Sequence, residues 1–116
     1  MPKNKYTISG SAGDTIRLMA LRSEWPNHKW TSEYYFHDTR RWRFDFAELT
    51  LRIAVEIEGG SRQGGRHNRH DGFVKDMEKY NRATVLGWKL LRCTPAQFDN
   101  GTIFQTIHDL MKGLNT

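Results

Sequence analysis

The sequence predicts an α/β (α+β) domain: a four-stranded mixed sheet flanked by helices in an αβββαβ order, with one more helix at the C-terminal end. Three observations predict it. Trp42, Phe44 and Phe46 alternate with Arg41, Arg43 and Asp45, and Ile53, Val55 and Ile57 alternate with Ala54, Glu56 and Glu58, a period of two that belongs to strands. Phe73, Met77, Tyr80 and Thr84 recur instead at helical intervals. The short apolar run WKLLRC follows that helix, and a helical crossover permits parallel pairing with the preceding strand.

Each element rests on local signals. Residues 1–12 are polar and small and carry Lys3, Lys5 and the terminal amine, which predicts a flexible basic arm ahead of a single domain over 13–116. Ser11 and Asp14 have capping-box spacing and Ile16, Met19 and Ala20 recur at helical intervals, so the first helix is expected over 13–23, closed by Pro26 and Asn27. The aromatic-rich EYYFHD, 33–38, suits the first strand. The second and third strands are joined at Leu49-Thr50-Leu51, room only for a tight hairpin, and the third ends at Gly59-Gly60. GGSRQGGRHNRHDG, 59–72, has no large apolar residue and reads as a solvated loop. The next helix runs from Phe73 to Leu86 with Gly87 as its C-terminal cap, and Trp88 to Cys93 is the last strand. Thr94-Pro95-Ala96-Gln97 starts a helix, and Ile103, Ile107, Leu110 and Leu114 mark a final amphipathic one beyond Asp99-Asn100-Gly101.

Composition narrows the function classes. A chain of 116 residues builds one core, so scaffold and function share the same elements. Eighteen Lys and Arg against thirteen Asp and Glu give a net charge of +5 and a pI near 9.6, which favours an anionic partner such as nucleic acid. The single Cys93 excludes an internal disulfide and fits a reducing cytoplasm. No apolar run approaches the roughly 20 residues of a membrane span, and MPKNKYTISGSAG lacks the apolar stretch of a signal peptide, so no membrane partner is expected.

Asp45, Glu56 and Glu58 interrupt hydrophobic strands, where an unpaired carboxylate is costly. With Thr50 and Leu51 as a two-residue loop, Leu49 opposes Arg52, Phe46 opposes Val55 and Phe44 opposes Ile57, assembling one apolar face. On the other face Asp45 then opposes Glu56, Ala47 opposes Ala54, and Arg43 opposes Glu58. Opposed like charges repel. A divalent cation held by both carboxylates compensates, and hard oxygen donors suit Mg²⁺ or Mn²⁺ better than zinc. The other compensation is a protonated carboxyl or a neutralising base, Arg43 or Lys79. Glu58 has either an Arg43 ion pair or a role in the site.

Asp45, ten residues, then Glu56-Ile57-Glu58 at the end of an apolar strand resembles the PD-(D/E)XK nuclease superfamily, and RWRFDFA, AVEIEGG and DMEKYNRATVLGWKLLR together resemble its small phage and bacterial branch related to the very-short-patch-repair (Vsr) endonucleases. The similarity spans roughly residues 34–95. It implies a restriction-endonuclease-like core and a metal bound by Asp45, Glu56 and the Ile57 carbonyl. It implies a Mg²⁺- or Mn²⁺-dependent endonuclease that hydrolyses double-stranded or branched DNA in the cytoplasm of a bacterial host, at the nucleoid. The chain departs from the motif at Glu58, where a lysine is expected. Either Glu58 adds a ligand or the positive charge has moved, and Lys79, three residues from Asp76 on one helix face, is the candidate. His67 and His70 are candidates for proton transfer. Arg62, Arg66 and Arg69 in the glycine-rich loop, extended by Arg40, Arg41 and Arg43, are candidates for phosphate contacts, and Trp25 or Trp30 for stacking on bases. Symmetric cutting of two strands would call for a homodimer. The rival readings are a nuclease-like module that binds nucleic acid without cleaving it and a zinc module using His37, His67, His70 and Cys93.

Overall fold

The computed structural model describes residues 8–59 and 69–115. Its elements are α1 (Ile8–Glu24), β1 (Trp30–Tyr35), β2 (Arg43–Glu48), β3 (Ile53–Ile57), α2 (Arg69–Val85), β4 (Lys89–Cys93), α3 (Pro95–Asp99) and α4 (Thr102–Leu114). The strands form one mixed sheet in the order β1-β2-β3-β4, antiparallel as far as β3 and parallel between β3 and β4. Residues 1–7 and 60–68 lie outside the described part, and with them most of the basic arm and of the glycine-rich loop.

The predicted hairpin register is observed over three pairs. Phe46 pairs with Val55, Ala47 with Ala54 and Glu48 with Ile53. The sheet buries both faces. Phe46, Ile53 and Val55 join Leu21, Trp25, Trp30, Phe98 and Ile107 in a core covered by α1, α3 and α4, while Ala47 and Ala54 join Phe44, Ala83 and Trp88 on the side of α2. Phe44 is a correction. Alternation predicts it on the face of Phe46, yet it packs in the other cluster, while Ile57 stays with Phe46 and Val55. The alternation breaks where Glu33, on the neighbouring strand, adopts a left-handed φ of 50° between the pairs Ser32–Phe46 and Tyr34–Phe44.

Element ends differ from expectation where tertiary contacts decide them. β1 starts at Trp30, three residues before the predicted strand, because Trp30 is a core residue whose carbonyl accepts two bonds from the Arg22 guanidinium. It stops at Tyr35 because His37 turns the chain, its Nδ1 accepting from the amides of Thr39 and Arg40 at 3.2 and 3.0 Å. α1 begins at Ile8, so the capping-box pattern of Ser11 and Asp14 lies inside a helix that takes up residues 8–12 of the expected arm. α2 begins at Arg69, inside the expected loop. Two predicted punctuation marks are observed: Gly87 with φ 89° after α2, and the reciprocal Thr94–Gln97 capping box of α3.

The hairpin connection spans residues 49–52, four residues in place of two, with Arg52 at φ 58°. Glu48 is fully buried beneath it and accepts from the Lys29 amide at 2.7 Å and the Leu51 amide at 2.6 Å. Replacing Glu48 with Ala strands both donors and should destabilise the fold by roughly 2–4 kcal/mol. In urea denaturation the midpoint should fall with the slope unchanged, and an unchanged midpoint would contradict this role.

Candidate functional site

The β2–β3 ladder ends at Phe46–Val55, and the next opposed residues are Asp45 and Glu56. Each carboxylate takes over bonding to the opposite strand. The Asp45 amide donates to Glu56 Oε2 at 3.2 Å, and the Ile57 amide donates to Asp45 Oδ2 at 2.7 Å. This reciprocal clamp holds two acids side by side at the strand ends. Glu56 is 8% exposed, and burial together with the Asp45 charge pushes its carboxyl up to about 7. Burial also raises Asp45, against the opposing effect of the Ile57 amide. Asp14 of α1 is raised by burial and by the charges of Asp45 and Glu33, so a third acid contributes to the same negative field.

The cation facing this pair is Lys79 of α2. Its Nζ is 3.1 Å from Glu56 Oε1, with both side chains largely buried. Arg43 turns elsewhere, to Glu33 at 3.4 Å. A cleft of about 340 Å³ joins Asp45, Glu56, Asp76 and Lys79 with Arg41, Arg43, Lys75 and Trp42. Helical spacing puts Lys75 and Lys79 one turn apart, a signal that was open to sequence reading and went unused.

Glu58 is a correction to the Arg43 pairing. Its carboxylate takes the Arg92 guanidinium in two bonds of 2.7 and 3.0 Å and the Tyr80 hydroxyl at 2.8 Å. The Arg92 bonds hold its carboxyl below the usual range. The cause is the path of the backbone: the Glu58 amide donates to the Cys93 carbonyl at 2.7 Å, so the residue follows β4 and leaves β2. Glu58 is not among the residues lining the cleft.

Other candidates divide clearly. Trp25 and Trp30 are core residues, 7% and 2% exposed, and cannot stack on bases; Trp42, at the cleft, is the half-buried tryptophan that sequence reasoning overlooked. Arg40 lies over the Trp42 ring at 4.0 Å. Arg62, Arg66 and His67 lie outside the described residues, and Arg69 and His70 are described only as backbone in the first turn of α2. Cys93 is buried, its thiol pushed up to about 11, and His37 Nδ1 is committed to backbone amides.

Among the described residues no group of three or more His, Cys, Asp or Glu is disposed to hold a metal ion. Asp45 and Glu56 nevertheless fit a hard divalent cation. They offer adjacent carboxylate oxygens of which Lys79 ion-pairs with Glu56 alone, and Mg²⁺ uses one or two carboxylates while water and phosphate fill its other positions. No helix among the described residues is long and apolar enough to cross a membrane. Comparison with protein-family models, curated proteins and solved structures gives no match.

Proposed function

We propose that the Asp45–Glu56 cleft binds Mg²⁺ or Mn²⁺ and hydrolyses phosphodiester bonds of DNA, double-stranded or branched, as a small restriction-endonuclease-like enzyme of phage or bacterial repair, recombination or restriction. The observation that carries this reading is the clamp of two opposed carboxylates, with Glu56 pushed up to about 7 despite Lys79 at 3.1 Å. Stability alone gives no reason for such a pair. The αβββαβ order and the mixed sheet support the resemblance to PD-(D/E)XK nucleases.

When bound, the divalent ion supplies Lewis-acid polarisation of the phosphate and a water of lowered pKa. The protein supplies the rest. Asp45 and Glu56 would hold the ion, their carboxylates fixed by the Ile57 and Asp45 amides respectively. Lys79 supplies the positive charge absent from position 58 and faces negative charge developing on the phosphoryl oxygens. Arg41, Arg43 and Lys75 line the cleft and hold neighbouring phosphates.

Calorimetric titration with Mn²⁺ and Mg²⁺ tests the metal centre. Ligands must be deprotonated to bind, so affinity should rise between pH 6 and pH 8 by roughly tenfold, with proton release, and Asp45→Asn should remove it. Equal binding by Asp45→Asn would show that the ion sits elsewhere. A second reading, nucleic-acid binding without cleavage, is favoured by Glu58, which occupies the motif lysine position and is committed to Arg92 and Tyr80. Cleavage assays with the intact protein separate the two.

A further inference from the structure

A second cavity, of about 420 Å³, opens between the β1–β2 connection and α2. Trp42 lines both this cavity and the carboxylate cleft, so the two are contiguous through one side chain. The connection is held in shape from the core outward. Phe36 lies flat on buried Phe44 at 4.1 Å and 4°, and near-parallel to Trp42 at 6.1 Å and 18°. The Arg40 guanidinium then lies over the Trp42 ring at 4.0 Å. His37 meets Trp42 edge-on at 5.1 Å, and because its Nδ1 accepts from two backbone amides, its Nε2 is the ring nitrogen left to donate. Across the cavity α2 presents Asn81, Arg82 and Glu78, whose exposed carboxylate lies 3.5 Å from the Arg40 guanidinium.

This is the chemistry of a nucleobase site. A phosphate offers only acceptors and uses only donors and cations; here the guanidinium plane of Arg40, backed by Trp42, is a stacking surface, and the acceptors of Glu78 and Asn81 stand beside the donors of Asn81, Arg82 and His37, the mixture that a base edge requires. A base inside a duplex has its faces stacked and its edge paired, so only an unpaired base enters a slot between a turn and a helix. We infer that the cavity lined by Arg40, Trp42, Glu78 and Asn81 takes an unpaired base of DNA beside the phosphate in the Asp45–Glu56 cleft. The substrate class is then DNA carrying an extrahelical or single-stranded nucleotide. The inference rests on the nuclease reading for the cut but not for the capture of the base.

The test uses Asp45→Asn protein, which keeps the DNA intact, and a duplex with a single-nucleotide bulge of the fluorescent base 2-aminopurine, against the same duplex fully paired. Tighter binding of the bulged duplex by roughly tenfold, with quenched fluorescence, is expected from stacking. Asn81→Leu removes the amide from the base edge and Val85→Trp fills the cavity, and both residues are exposed, so both substitutions spare the core. Each should bring bulged and paired duplex to within about twofold while paired-duplex binding is unchanged. Equal affinity for the two duplexes, or a preference that survives both substitutions, overturns the inference. Wild-type cleavage of paired DNA without preference for the bulge also overturns it and leaves the nuclease reading standing. Bulge capture in the absence of any cleavage leaves this inference standing and removes the nuclease reading.

Discussion

Lys79→Met is expected to lower the cleavage rate by roughly 10² to 10³, with DNA affinity changed only a few-fold. The magnitude is that of removing one charge partner from a reacting centre. Affinity is largely retained because Arg41, Arg43 and Lys75 still line the cleft and supply the phosphate contacts. A rate effect without a binding effect is the signature of a group acting in the transition state. The same substitution leaves Glu56 without the ammonium now 3.1 Å from it, so the carboxyl should rise further above 7. NMR titration of that carboxyl reads the second effect independently of catalysis. Wild-type rates in Lys79→Met would return the question of the missing motif lysine to the loop outside the described residues.

Glu56→Gln should be more stable than the parent protein at pH 8, and the difference should close below pH 4.5. Burial and the Asp45 charge raise the folded-state pKa of Glu56 from 4.5 to about 7. A raised folded pKa means that the folded state holds the proton more tightly. Its stabilising contribution is complete below the unfolded value and disappears as pH rises through 7. The shift corresponds to about 3 kcal/mol. An amide mimics the protonated acid but keeps a single acceptor for the Asp45 amide and Lys79, so a gain of about 2 kcal/mol is expected at pH 8. Denaturant midpoints at the two pH values measure it. Added Mg²⁺ should stabilise the parent at pH 8 and leave Glu56→Gln unmoved. A variant less stable than its parent at pH 8 would mean that Lys79 and the Asp45 amide already compensate the charge.

The parts legible in the sequence are those decided by neighbours in the chain. Alternation from Trp42 to Phe46 and from Ile53 to Glu58 contained the register of β2 and β3, and with it the meeting of Asp45 and Glu56. Gly87 and the Thr94–Gln97 box likewise carry their geometry locally. What escaped depends on distant residues. The partners of Glu58 are Tyr80 and Arg92, set by how α2 and β4 dock against the end of β3, so proximity in the hairpin pointed to Arg43 instead. Nothing beside Glu48 in the chain marks it as a buried residue, and only the approach of Lys29 just ahead of β1 makes its burial intelligible. The tryptophans show the same division. Trp25, Trp30 and Trp42 are alike as letters, and the packing of α1 and α4 decides which two are lost to the core.

The most direct measurement is cleavage of a panel of supercoiled, branched, mismatched and bulged DNA by the intact protein in Mg²⁺ or Mn²⁺, beside Asp45→Asn. Metal-dependent cutting by the wild type, abolished in a folded Asp45→Asn variant, is the predicted result. Absence of cutting on every substrate at stoichiometric protein, or undiminished cutting by Asp45→Asn, would contradict the assignment of the Asp45–Glu56 cleft as a nuclease centre.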